Sequence, residues 1–201
     1  VSGVHSELVY MKSEFSFEVK GQTLDDAIGE AYDKAGRVLH LPYPGGPVID
    51  KMAASGQHTY DLPLPLNDDS YNFSFSGLKS AVINLCHNAA QRGEDIVPAD
   101  LACSFQEVAL DVLVSKTIKA AKDYQVKEII VAGGVSANRG LRKKLTADSP
   151  IKVLFPPMAY CTDNAAMIAS AARVMYEHQQ FSSLDLSVKP SYDLEEESIG
   201  E

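Results

Sequence analysis

Lys127-Glu-Ile-Ile-Val-Ala-Gly-Gly-Val-Ser-Ala-Asn138 reads as a short buried strand that runs into a glycine pair and then opens a helix near Asn138. Two glycines let the chain turn sharply and let a ligand lie close to backbone. The first turn of a helix also presents unpaired N–H groups at its positive end, which suits a phosphate or the edge of a nucleotide. The plainer reading is a tight strand-to-helix turn that needs glycine for packing. For Asn138 taken alone, capping the helix is the stronger of the two readings.

Working outward, Ile151 to Phe155 reads as a second strand, stopped by Pro156-Pro157. A helix then starts near Thr162 or Asp163 and runs to about His178. Upstream, Asp100 is placed to cap a long helix with Leu101, Phe105, Val108, Ala109, Val112, Leu113 and Ile118 on one face. Phe73-Ser-Phe-Ser-Gly-Leu-Lys79 reads as a short strand and turn into a helix through Ile83, and residues 57–72 as a long polar loop. Leu24 to Leu39 has helical apolar spacing. Pro42 to Pro47 interrupts it, and Pro47 suits the first position of a new helix from about Val48 to Ser55. Glu7 to Met11 and Phe15 to Val19 read as short strands. Strands alternating with helices predict an α/β fold with a partly parallel sheet. Val1-Ser-Gly-Val4 runs straight from a glycine turn into a strand without a start methionine, so the chain is expected to be part of a longer protein.

The 201 residues are enough for one buried domain or one lobe of a larger enzyme, with 45% hydrophobic and 22% charged residues. No apolar run approaches bilayer length, and no signal-peptide pattern opens the chain. Three widely spaced cysteines without a CxxC pair fit a reducing cytoplasm and argue against a cysteine zinc site. The net charge of −9 opposes tight, unaided binding to nucleic acid. Part of the excess is local, in the acidic tail Asp193 to Glu201, expected to be solvated.

Several side chains could carry chemistry. Asp163 stands near a helix N-terminus, where a carboxylate is stabilised without any function. As a metal ligand it would need partners from elsewhere, because the five histidines show no ligand spacing. Asp26, Glu30 and Asp33 stand about a turn apart and are expected on a solvated face. Asp33 and Asp50 frame the turn Tyr43-Pro-Gly-Gly46 and could hold the hydroxyls of a ribose. Lys79 could touch phosphate, an ordinary surface lysine being the plainer reading. Cys103 and Cys161 have no neighbouring base, so a cysteine nucleophile is unsupported.

In order along the chain stand Ser-Gly-x-His-Ser-Glu-Leu (2–8), Asp-Asp-Ala-Ile-Gly-Glu-Ala-Tyr-Asp-Lys (25–34), Tyr-Pro-Gly-Gly-Pro (43–47) and Phe-Ser-Phe-Ser-Gly-Leu-Lys (73–79). Ser-Phe-Gln (104–106), Ala-Gly-Gly-Val-Ser-Ala-Asn (132–138) and Cys-Thr-Asp-Asn-Ala-Ala-Met (161–167) complete the series. Together, from the first residue to about Tyr176, they resemble the TsaD family, once catalogued as O-sialoglycoprotein endopeptidases. The resemblance implies an actin-like ATPase fold, as in sugar kinases and heat-shock chaperones, lacking most of the N-terminal lobe. Residues 22–155 would form the second lobe, with 1–20 and 156–192 packing on the missing first lobe and 193–201 as the tail.

The implied activity is transfer of a threonylcarbamoyl group from threonylcarbamoyl-AMP to N6 of adenosine 37 in tRNAs reading ANN codons, in the cytoplasm. By resemblance, Asp33, Gly46, Asp50 and Asn138 hold the adenylate, and Val1, Ser2, Gly3 and Val4 form the loop at its phosphate and acyl end. Asp163 matches the family's aspartate ligand to one divalent metal ion, iron or zinc. The two histidine ligands lie in the N-terminal part, so the 201 residues alone are expected to be inactive. Partners implied are tRNA, the inactive paralogue TsaB and the ATPase TsaE. Val4 stands where the family has a second glycine, and a Cβ there narrows the choice of φ. A small-molecule kinase or nucleotide-gated chaperone of the same fold, a non-catalytic scaffold and a metallopeptidase are the competing readings. The last would need a complete zinc site.

Overall fold

The structure, a computed structural model, describes residues 1–187; the expected acidic tail and the end of the 156–192 segment lie outside the described residues. The order is β1 (Glu7–Ser13), β2 (Ser16–Gln22), α1 (Ile28–Val38), α2 (Gly45–Ala53), α3 (Ser76–Arg92), α4 (Pro98–Asp123), β3 (Glu128–Ile130), α5 (Arg139–Asp148), β4 (Lys152–Leu154) and α6 (Ala165–Glu177). The fold is α/β, as the alternation of patterns predicts. Its strands make two small sheets, an antiparallel hairpin of β1 with β2 and a parallel pair of β3 with β4. A cavity of about 340 Å3 separates the hairpin from β3 and α4, lined among others by Leu8, Tyr10, Leu113, Tyr124 and Ile129.

The core gathers on α4, whose Leu101, Phe105, Ala109 and Leu113 are buried against Ile28, Tyr32 and Ala35 of α1 and Ile49 of α2. Burying each of the leucine, isoleucine and phenylalanine side chains contributes about 1.5–3 kcal/mol, so α4 is the scaffold on which the smaller helices are fixed. In contrast, every residue of α6 except the half-buried Val174 is exposed, the apolar Met167, Ile168 and Tyr176 among them. No helix among the described residues is long and apolar enough to cross a membrane.

Several helix ends differ from the sequence pattern, and at α1, α2 and α4 the difference goes with a polar side chain bonded to backbone of another segment. α1 starts at Ile28 rather than Leu24, because Thr23 Oγ1 donates to the Asp26 carbonyl and the Asp25 carboxylate accepts from Phe75 N and Ser76 N. α2 starts at Gly45, ahead of Pro47, because Asp33 Oδ1 accepts from Gly45 N at 2.7 Å and Gly46 N at 3.3 Å. α3 starts at Ser76 and continues past Ile83 to Arg92. Asp100 does not cap α4, which begins at Pro98; its carboxylate accepts from Gln57 N instead. α6 is capped by Asn164, whose Oδ1 accepts from Met167 N, and not by Thr162 or Asp163. β3 is also less buried than its apolar sequence implies: Ile129 is inside while Ile130 is exposed.

The expected solvated acidic face is overturned at Asp26, just ahead of α1, while Glu30 and Asp33 stay partly exposed. Asp26 is buried, with Oδ1 accepting from Lys34 Nζ at 2.7 Å and Oδ2 lying 3.1 Å from Lys79 Nζ as an ion contact. Lys79 is therefore a half-buried partner of Asp26 rather than a free surface lysine. Burial works to raise the Asp26 pKa, but the two ammonium groups outweigh it and hold the carboxyl below its ordinary 3.8. A carboxyl depressed on folding stabilises the native state above its unfolded pKa and loses that contribution as pH falls through the folded value. Asp26→Asn should thus cost about 2 kcal/mol near neutral pH. Denaturant unfolding across pH should show the gap from the parent persisting down to about 3.8 and closing only below it.

Candidate functional site

The loop Val1 to Val4 is fixed between two of the segments singled out in the sequence. Val1 N donates to the Ala132 carbonyl at 2.8 Å, and Val135 N donates to the Val1 carbonyl at 3.2 Å. Gly29 N, at the start of α1, donates to the Ser2 carbonyl at 3.2 Å. Ser2 Oγ closes the loop on itself by accepting from Val4 N at 3.2 Å and His5 N at 2.9 Å. The close approach depends on Gly133, whose φ is 91° and where a Cβ would sit 2.4 Å from the Val1 carbonyl oxygen. Val4 tolerates its side chain. Positive φ at described non-glycine residues is confined to His40, Leu66, Gln125 and Gln179, and Val4 is 73% exposed.

Behind this loop the glycine pair leads through a 3-10 turn, Gly134–Ala137, into α5. Asn138 caps α5 through Oδ1, which accepts from Leu141 N at 2.7 Å, so the plainer reading of Asn138 is correct as far as it goes. Its Nδ2 donates inward to Gln106 Oε1 at 3.0 Å, with Tyr32 Oη at 3.4 Å. Tyr32 Oη donates to the same Gln106 oxygen at 3.1 Å. Burial above all, and then the charge of Asp50, pushes the Tyr32 phenol far above its ordinary pKa, so it acts only as a neutral hydroxyl.

The two carboxylates that frame the Tyr43–Gly46 turn both serve as caps at a distance. Asp33 satisfies the first N–H groups of α2, while Asp50 accepts from Arg139 N at 3.0 Å and Gly140 N at 3.1 Å at the start of α5. Each carboxylate oxygen has a second lone pair. Asp33 Oδ2 has no hydrogen-bond partner among the described residues. Two helix N-termini and two carboxylates thus surround one place, beside Gly46 and Asn138.

Asp163 is exposed, one residue past Thr162, whose Cγ2 lies 4.0 Å from a Cβ built on Gly134. The 156–161 segment is tied to the glycine turn by Arg142, which donates from Nε to the Ser136 carbonyl and from Nη2 to the Pro156 carbonyl, both at 2.7 Å. No three His, Cys, Asp or Glu side chains converge among the described residues to hold a metal ion. Asp163 alone is not a metal site.

The structure therefore brings Val1 to Val4, Asp33, Gly46, Asp50 and Asn138 into one region, with Asp163 at its edge. Reading the residues one at a time missed Tyr32, Gln106 and Arg142. Gln106 carried a signal, being a glutamine on a buried stretch of helix between Phe105 and Ala109.

A family model described as tRNA N6-adenosine threonylcarbamoyltransferase matches residues 1–170. Proteins of that name from Bacillus cereus and Bacillus subtilis are 56% and 55% identical over 97% and 96% of this chain. The chain spans 58% of the length of these relatives. Among solved structures, HypF from T. kodakarensis overlaps 77% of this chain and 20% of its own with a TM-score of 0.52 at 18% identity. A full-length HypF in phosphate- and nucleotide-bound form overlaps 78% of this chain and 21% of its own with a TM-score of 0.55 at 15% identity. At that identity the likeness concerns the fold alone.

Proposed function

The chain belongs to the TsaD family of tRNA N6-adenosine threonylcarbamoyltransferases, and on that premise we propose that it forms the adenylate-binding side of such an enzyme. The observation that carries this reading is the convergence of four separate segments. The 1–4 loop, the Asp33–Gly46 cap, Asp50 and Asn138 are joined by direct hydrogen bonds around two helix N-termini.

In this reading Asp33 and Asp50 accept hydrogen bonds from ribose hydroxyls, and Gly46 lets the sugar approach α2. Asn138 offers an N–H to the adenosine moiety. The 1–4 loop, with nothing within 4 Å of a Cβ at Gly3, leaves room for the phosphate and acyl end of threonylcarbamoyl-AMP. N6 of adenosine 37 attacks the carbamoyl carbonyl carbon. The C–N bond forms, the C–O bond to phosphate breaks, AMP leaves and N6 gives up one proton. No side chain of the site is a dedicated base, so positioning and fixed dipoles carry the rate.

The fold is that of an actin-like ATPase, with 22–155 as its second lobe. Residues 1–20 and the segment from 156 then face the first lobe, a reading that the exposed apolar side chains of α6 support. Asp163 would give one oxygen to a divalent metal, iron or zinc, whose two histidine ligands belong to the part of the relatives that this chain does not span. The described donors do not make that site by themselves, and no step above passes through it. The net charge of −9 is consistent with tRNA being gripped by an assembly, with TsaB and TsaE, rather than by this surface alone.

The test joins the chain to the N-terminal part of a 56% identical relative and supplies threonylcarbamoyl-AMP and an ANN-reading tRNA. Threonylcarbamoyladenosine in the digested tRNA is the expected product. A folded, metal-loaded fusion that makes none refutes the proposed activity, and the unfused chain is expected to make none.

A further inference from the structure

Gln106 lies in the middle of α4, 8% exposed, and belongs to none of the segments that would touch the adenylate. Its oxygen nevertheless receives two hydrogen bonds, from Tyr32 Oη at 3.1 Å and from Asn138 Nδ2 at 3.0 Å, which fills both lone pairs. The same residue also packs against the first turn of Asn138's helix, since a Cβ at Gly140 would lie 2.6 Å from Gln106 Nε2. Asn138 is thereby held at both ends of its amide, Oδ1 by Leu141 N and Nδ2 by Gln106. The N–H donor at Leu141 fixes which end is oxygen, so the amide cannot flip.

The consequence concerns what Asn138 has left to offer. Gln106 Oε1 and Tyr32 Oη stand close together as seen from Nδ2, too close for the two diverging amide protons to address them separately. One proton is shared between them and the second points elsewhere, on a residue that is only half-buried. An asparagine that could rotate would present either a donor or an acceptor. This one presents a donor only.

We propose that Gln106 is a positioning residue of the adenylate site, which locks Asn138 so that it offers one N–H to an acceptor atom on the adenosine moiety of the ligand. The proposal rests on the adenylate reading above. It assigns to a buried residue of a core helix the job of holding in place the donor of a contact that Gln106 itself does not make, the bond from Leu141 N having fixed which end donates.

The test uses the full chain and AMP, titrated calorimetrically, with thermal melting and the side-chain amide signal of Asn138 as parallel readouts. Gln106→Met keeps the side chain's length but removes the acceptor, and leaves the buried Tyr32 O–H with nothing to donate to. The double variant Tyr32→Phe with Gln106→Met removes that stranded group too, so its stability should return towards the parent's. Affinity for AMP should nevertheless stay about tenfold or more below the parent in both variants, and the paired amide protons of Asn138 should lose their separate, bonded shifts. A double variant that melts like the parent and binds AMP equally well overturns the role of Gln106. A parent chain that does not bind AMP at all overturns the adenylate reading and this inference with it, a different result from failure of the variants alone.

Discussion

A Gly133→Ala protein should melt well below the parent and bind AMP weakly or not at all. Two costs arise together at this residue. With φ at 91°, an alanine occupies backbone space that L-residues avoid, which costs on the order of 1–3 kcal/mol. Its Cβ would also stand 2.4 Å from the Val1 carbonyl oxygen, a contact that cannot exist without movement. The cheapest escape is to push the 1–4 loop away, which breaks the bonds from Val1 N to Ala132 and from Val135 N to Val1. Strain retained or bonds lost, the total comes to about 3 kcal/mol. At roughly 2–4 °C per kcal/mol for a domain of this size, melting should fall by about 6–12 °C. Gly3→Ala is the control for stability, because a Cβ there meets nothing within 4 Å; its melting should stay within about 0.5 kcal/mol of the parent. Parent-like melting of Gly133→Ala would mean that the turn does not need glycine.

Gly133 also shows how far the sequence could be read. Strand, glycine pair and helix were legible from residues 127–138 because each carries a local reason: β-branched residues, a turn without side chains, a capping amide. What lay beyond local pattern was the partner of each polar group. Asp33 and Asp50 could be chosen as a framing pair, yet nothing in their spacing says that each caps a helix 12 and 89 residues away. Helix starts slipped for the same reason, since Asp25, Asp33 and Asp100 all bond to backbone in other segments. Asp26 was assigned to solvent by its place opposite an apolar stripe, and the lysine that corrects this, Lys79, comes from a different helix. Hydrophobic period reports which face turns inward. It is silent on a carboxylate that two lysines make affordable inside.

The same distinction between local and distant partners allows the two roles of Asn138 to be separated by one substitution. Asn138→Asp keeps an oxygen in reach of Leu141 N, so the cap on α5 survives, and aspartate is as good a cap as asparagine. The other end of the side chain changes from donor to acceptor. Gln106 can answer by turning its own amide, and Tyr32 can donate to the new carboxylate, so no buried group is left alone. A second carboxylate beside Asp50 at one helix N-terminus is repelled by its neighbour and favoured by the dipole, and the two effects largely offset. Stability should therefore stay within about 1 kcal/mol of the parent. Binding should not. The lost donor and an acceptor facing an acceptor are expected to weaken AMP by roughly thirtyfold, about 2 kcal/mol. Adenosine, which carries no phosphate, should lose a similar factor, and that comparison separates the lost N–H from charge repulsion. If AMP weakens while adenosine does not, the contact lies with charge and not with the donor that Gln106 holds in place. If neither weakens, Asn138 is a helix cap and nothing more.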